Sequence, residues 1–132
     1  MVSVYDVGGL IGLALGGMVQ NSFSKVSINA AVGSYVVHAG GLVGEISPSY
    51  TPITIRKTYA TGSIGKNGAT ISSSAGLVSK VTKSKYQTSC TNSHWNIETT
   101  MQNTSAVCPS GGLRTFQMMK QTHYPSWDFV NT

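Results

Sequence analysis

Apolar residues alternate with polar ones at the start of the chain, through Val2, Val4 and Val7, and the alternation returns at Ile53-Thr54-Ile55 and Thr70-Ile71. A period of two places successive side chains on opposite faces and marks half-buried strands. No segment carries a 3.6-residue apolar period, and only Thr115 to Thr122 reads as a short helix or turn. Turn-forming runs separate the apolar ones: Ser47-Pro48-Ser49, Gly65-Lys66-Asn67-Gly68 and Pro109-Ser110-Gly111-Gly112. Short β-branched runs punctuated in this way predict an all-β fold.

The pattern repeats. Gly8-Gly9-Leu10-Ile11-Gly12 returns as Gly40-Gly41-Leu42-Val43-Gly44, and in altered form as Ala75-Gly76-Leu77-Val78-Ser79. Gly112-Leu113 repeats the central pair, and the leucines fall 32, 35 and 36 residues apart. A second element lies between these, with Asn21 to Ile28 aligning on Lys57 to Ile64. Its aromatic position gives Phe23, Tyr59 and Trp95 at two steps of 36.

Repeats therefore run near 8–39, 40–74 and 75–111, with a closing segment at 112–132, and residues 1–132 form one segment. A unit this small cannot bury its apolar face alone, so neighbours must stack into a continuous core. The expected architecture is an all-β solenoid of stacked repeats, with Leu10, Leu42 and Leu77 in one row. Gly9, Gly12, Gly41, Gly44 and Gly76 keep step with the aliphatics, which predicts the same corner or close backbone approach in every coil.

These residues resemble the GLUG-motif repeat family. Gly41-Leu42-Val43-Gly44 and Tyr59-Ala60-Thr61-Gly62-Ser63-Ile64 look like its two signature pieces, in the expected order. Ser93-His94-Trp95-Asn96, Gln117-Met118, Tyr124 and Trp127-Asp128-Phe129 are similar to the segment that closes a block of such repeats. The third copy departs most, with Ala75 and Ser79 in place of the framing glycines. The resemblance implies a secreted or cell-surface bacterial protein of the adhesin or haemagglutinin type, and with it a repeat β-solenoid fold, a parallel β-helix of about three to four coils. It brings no catalytic residues with it.

Composition narrows the chemistry. Charged residues make up 10% of the chain, and the net charge of +5 sets nine basic residues against Asp6, Glu45, Glu98 and Asp128. The basic residues are scattered apart from Lys80, Lys83 and Lys85, which does not make a nucleic-acid surface. The most apolar stretch, Val7 to Val19, is interrupted by glycine and is too short for a membrane span of ~20 residues. No basic segment precedes it, so it is no signal peptide, and export calls for a leader outside this chain.

Paired carboxylates for glycan hydrolysis do not share a motif here, although folding could unite Glu45 with Glu98. No Gly-x-Ser-x-Gly occurs, and Gly62-Ser63-Ile64-Gly65-Lys66-Asn67 lacks the hydroxyl that follows the lysine of a phosphate loop. Cys90, His94, Cys108 and His123 carry zinc-binding atoms in the wrong order and spacing. His38 reads as a loop residue. No catalytic residue, cofactor or metal is therefore expected.

In an exported chain Cys90 and Cys108 suggest one disulfide, with two buried thiols as the alternative. Tyr50, Tyr59, Tyr86, Trp95, Tyr124 and Trp127 form a sugar-stacking platform if exposed together, while the favoured reading has Trp95 and Trp127 cover the core at the end of the stack. The function expected is a non-enzymatic structural or adhesive segment, extracellular or at the cell surface. Its partners are neighbouring repeats, other copies of itself, or glycans and proteins of a host or other surface. The rival reading is a glycan-binding or glycan-cleaving β-helix.

Overall fold

The computed structural model describes residues 4–29, 35–65 and 70–128. Val2, Lys66, Asn67, Gly68 and Phe129, used above, lie outside these residues. The chain is all-β and built from parallel pairs. In chain order the first set of strands is β1 (Val4–Gly8), β2 (Ile11–Ala14), β3 (Gly17–Ser24) and β4 (Ile28–Asn29). The second set is β5 (Tyr35–Gly40), β6 (Val43–Ile46), β7 (Ile53–Ala60) and β8 (Ile64–Gly65). The third is β9 (Thr70–Ala75), β10 (Val78–Val81), β11 (Thr88–Thr91) and β12 (His94–Asn96). The third repeat continues into α1 (Ile97–Thr100), and the closing segment holds β13 (Gly112–Leu113), α2 (Thr115–Met118) and a 3₁₀ turn at Gln121–His123.

Strands pair in parallel with their counterparts in the next set, except that β8 has no described partner in the third set and β7 meets both β11 and β12 there. The sheets are β1-β5-β9, β2-β6-β10, a third in which β7 lies between β3 on one edge and β11 and β12 on the other, and the pair β4-β8. β13 adds to the far side of β12. The register follows the sequence repeat: Gly8 opposes Gly40 and Gly40 opposes Ala75, while Ile11 and Val78 flank Val43. Amides of the turns link the leucines, from Leu10 N to Leu42 O at 3.0 Å and from Leu42 N to Leu77 O at 2.9 Å.

Burial within this row is unequal. Leu42 and Leu77 are fully buried in the main core with Val43, Ile46, Ile53 and Ile55, whereas Leu10 is 48% exposed. A smaller cluster of Ile28, Ala39 and Ile64 fills the other side.

The aromatic alignment needs correction. Phe23 does oppose Tyr59, but the residue opposite Tyr59 in the third set is His94, and Trp95 opposes Ala60. Side chains alternate along a strand, so one residue of register moves Trp95 from the outer row to the interior. It is fully buried there, and its Nε1–H donates to the Gln102 carbonyl at 2.8 Å.

This placement explains the second glycine of each motif, which looks across the interior. A Cβ at Gly9 would lie 2.0 Å from Ser24 Oγ, and one at Gly76 would lie 1.9 Å from the Trp95 ring. Close approach is what the glycine permits. The repeated bend in the third sheet falls elsewhere, on non-glycine residues: Asn21, Lys57 and Asn92 share a left-handed φ of 50°, 51° and 47°. They occupy equivalent positions, since Gln20 opposes Arg56, Ser22 opposes Thr58 and Arg56 opposes Thr91. Asparagine tolerates that region, lysine less readily.

Candidate functional site

Two groups of side chains stand out, one polar and one aromatic. The polar group is built by the first two sheets. Asp6 on β1 opposes His38 on β5, which opposes Ser73 on β9, and Glu45 on β6 faces the same imidazole. His38 Nδ1 lies 2.7 Å from Asp6 Oδ1 and 3.1 Å from Glu45 Oε2. His38 is 7% exposed, so it is a buried strand residue and not a loop residue. Asp6 and Glu45 are partly buried beside it, and they are not isolated surface charges. Thr82 Oγ1 donates to the other Glu45 oxygen, and Lys80 Nζ stands 3.9 Å from it.

This arrangement places two acids on one histidine nitrogen, whereas a catalytic triad sets an acid on one ring nitrogen and the nucleophile on the other. Ser73 Oγ pairs with Ser79 Oγ at 2.7 Å, and no described hydroxyl is hydrogen-bonded to His38. Ser79 fills the place of the framing Gly44, which explains one departure in the third repeat. The acid pair considered above does not form. Glu98 instead accepts the Thr115 amide at 2.9 Å, and its hydrogen bonds to Thr115 hold its carboxyl below the usual range.

The aromatic group lies outside the third sheet. Phe23 and Tyr59 stack with centroids 5.1 Å apart and planes 7° apart. Trp127 leans toward Tyr59 at 6.2 Å, and Tyr124 meets both Trp127 and His94 edge-on at 5.2 Å. A groove of about 320 Å³ runs between Phe23, Tyr59 and Trp127, with Asn21, Ser22 and Lys57 on its walls. Phe23 is 53% exposed at one end of it, under the Lys25 ammonium at 5.5 Å. Burial, with Tyr59 nearby, raises the Tyr124 hydroxyl above its ordinary range, and that hydroxyl donates to the Met118 carbonyl at 2.8 Å. Trp95, expected in either a sugar platform or a cap, belongs to the core.

Cys90 and Cys108 are joined in a disulfide, so neither is available with His94 and His123 as a zinc ligand. The bridge holds the loop that covers the third set. Gly76 N donates to Thr104 O, Ala106 N to Val78 O, and Val78 N to Ser105 Oγ. Val107 packs into the core beneath. His94 lies beside the bridge with Nε2 buried and without a hydrogen-bond partner, and burial lowers its affinity for a proton.

The sequence contained a signal for the polar group. The step of 32 between Leu10 and Leu42 also carries Asp6 onto His38. Glu45 joins them only when β5 and β6 fold across each other, which no spacing reports. No family model, curated protein or solved structure matches the chain.

Proposed function

We propose that the chain is a non-enzymatic adhesive segment of an exported repeat protein, in which the stacked strands form a parallel β-solenoid of about three coils. It works by joining a further set of strands across the open face of its first coil, either another copy or a neighbouring repeat. The ordered GLUG-like motifs support the class, and the disulfide fits an oxidising compartment. No described helix is long and apolar enough to cross a membrane.

The observation that carries this reading is the state of the first set. β1, β2 and β3 are edge strands with no described partner on their outer side. Tyr5, Leu10, Leu13, Leu15, Met18 and Phe23 are all exposed there. An unpaired edge next to uncovered apolar surface is a template for another strand set. Met101, Phe116 and Met119 are exposed as well, but they sit at the end of α1 and on or beside α2 and not along a strand edge.

Light scattering over a range of concentrations tests the proposal. The parent chain associates, and Leu10→Lys with Leu13→Lys returns it to the monomer. A parent chain that stays monomeric at high concentration overturns the open-face reading.

The aromatic groove favours a second reading, a glycan-binding segment. Aromatic faces beside amide and hydroxyl groups suit the apolar face and the hydroxyls of a sugar. Calorimetry against a panel of neutral oligosaccharides gives binding that Phe23→Ala and Trp127→Ala abolish. No heat with any of them removes this reading.

A further inference from the structure

We infer that Asp6, His38 and Glu45 bind a divalent transition-metal ion, zinc foremost, which ties the first set of strands to the second. The three side chains come from β1, β5 and β6, and one ligand atom of each lies within 4.8 Å of the other two. Both carboxylates converge on the same nitrogen, His38 Nδ1, at 2.7 and 3.1 Å. That nitrogen carries at most one hydrogen, so a single N–H faces two anionic oxygens. A divalent cation in place of the proton faces all three donors with opposite charge and neutralises both carboxylates.

The dimensions suit such an ion. Zinc takes imidazole nitrogen and carboxylate oxygen at about 2.0–2.2 Å, which sets tetrahedral ligand atoms about 3.3 Å apart. To reach that value the nitrogen–oxygen separations of 2.7 and 3.1 Å open slightly and the two carboxylate oxygens, within 4.8 Å of each other, draw together, movements that side-chain rotation supplies. One nitrogen and two oxygens form a donor set for zinc or manganese, harder than the thiolate sets of copper(I). Thr82 Oγ1 and Lys80 Nζ engage the Glu45 oxygen that does not face His38, the kind of outer contact that orients a ligating carboxylate. Three protein ligands leave a fourth position for water, and the Asp6 side chain, 22% exposed, is the ligand nearest solvent.

Because Asp6 belongs to the open first set, the ion acts as a clip on the edge strand. It binds the folded chain and so raises its stability by mass action. Titration calorimetry with zinc sulfate on the intact disulfide-bonded chain gives one ion per chain, with a dissociation constant of about 10 μM or tighter. Zinc also raises the melting temperature and slows hydrogen exchange at β1. Asp6→Asn and Glu45→Gln keep shape and fold, checked by circular dichroism, and each weakens binding about 100-fold. His123→Gln leaves binding unchanged. The absence of heat and of any melting shift at millimolar zinc overturns the proposal. So does binding that survives Asp6→Asn and Glu45→Gln, or that is lost in His123→Gln.

Discussion

The two ends of the stack are built from the same motif and finished differently. At the third set, Leu77 and Val78 are fully buried under the loop at Thr104 to Val107, with Trp95 filling the space opposite Gly76. At the first set, Leu10 occupies the position of Leu77 and stands half exposed, with no described segment over it. A repeat has no intrinsic stop, so what distinguishes its ends is what the chain adds to each. Among the described residues the added pieces are a tryptophan, a loop and a disulfide at the third set.

Removing those pieces should make the closed end resemble the open one. Trp95→Ala carries the largest cost, about 3–5 kcal/mol in denaturant unfolding, because a fully buried ring leaves a cavity between Gly76 and Gly112. Cys90→Ser with Cys108→Ser comes next, at about 2–4 kcal/mol. Proteolysis of that variant should begin within 101–111, the loop that the bridge holds. Cleavage that still begins in the first set would mean that the disulfide does not close this end.

A smaller effect depends on pH. Burial, aided by His123, holds His94 below its ordinary value of 6.5, against the hydrogen bond to the Gly111 carbonyl. Just below pH 6.5 the unfolded chain therefore binds more protons than the folded one. The stabilisation from neutral His94 is complete above pH 6.5 and is lost as pH falls through the lower folded value. His94→Gln should flatten the acid side of the stability profile, and an unchanged slope would assign it to other groups. The smallest expected effect is a gain. Lys57 has a left-handed φ of 51°, so Lys57→Gly should stabilise by about 0.5–1 kcal/mol. Asn21→Gly, where asparagine already tolerates that conformation, should gain less.

The same contrast sets what could be read from the residues. Strand class and pairing were legible because Gly8-Gly9-Leu10 and Gly40-Gly41-Leu42 share one spacing, and the register Gly8 to Gly40 follows it. Phe23 and Tyr59 fell into one row for the same reason. Trp95 did not, since a step of 36 ignores the residue by which the third set differs, and a period of two turns that residue into a change of face. The third repeat departs from the rule where it meets Trp95 and the loop at Thr104 to Val107, so its exceptions could not be read from the rule. The Asp6, His38 and Glu45 group was hidden for another reason. Asp6 and His38 meet across a sheet, and Glu45 meets them across the fold between two sheets.

The asymmetry of the ends is tested most directly by amide hydrogen exchange followed over a range of chain concentrations. The account predicts that protection in β1, β2 and β3 rises with concentration, as a second set of strands covers the open face. Protection at Gly76, Val78 and β13 should already be high and should not change. Exchange in β1 to β3 that is indifferent to concentration, or protection that grows at the third set instead, would contradict it.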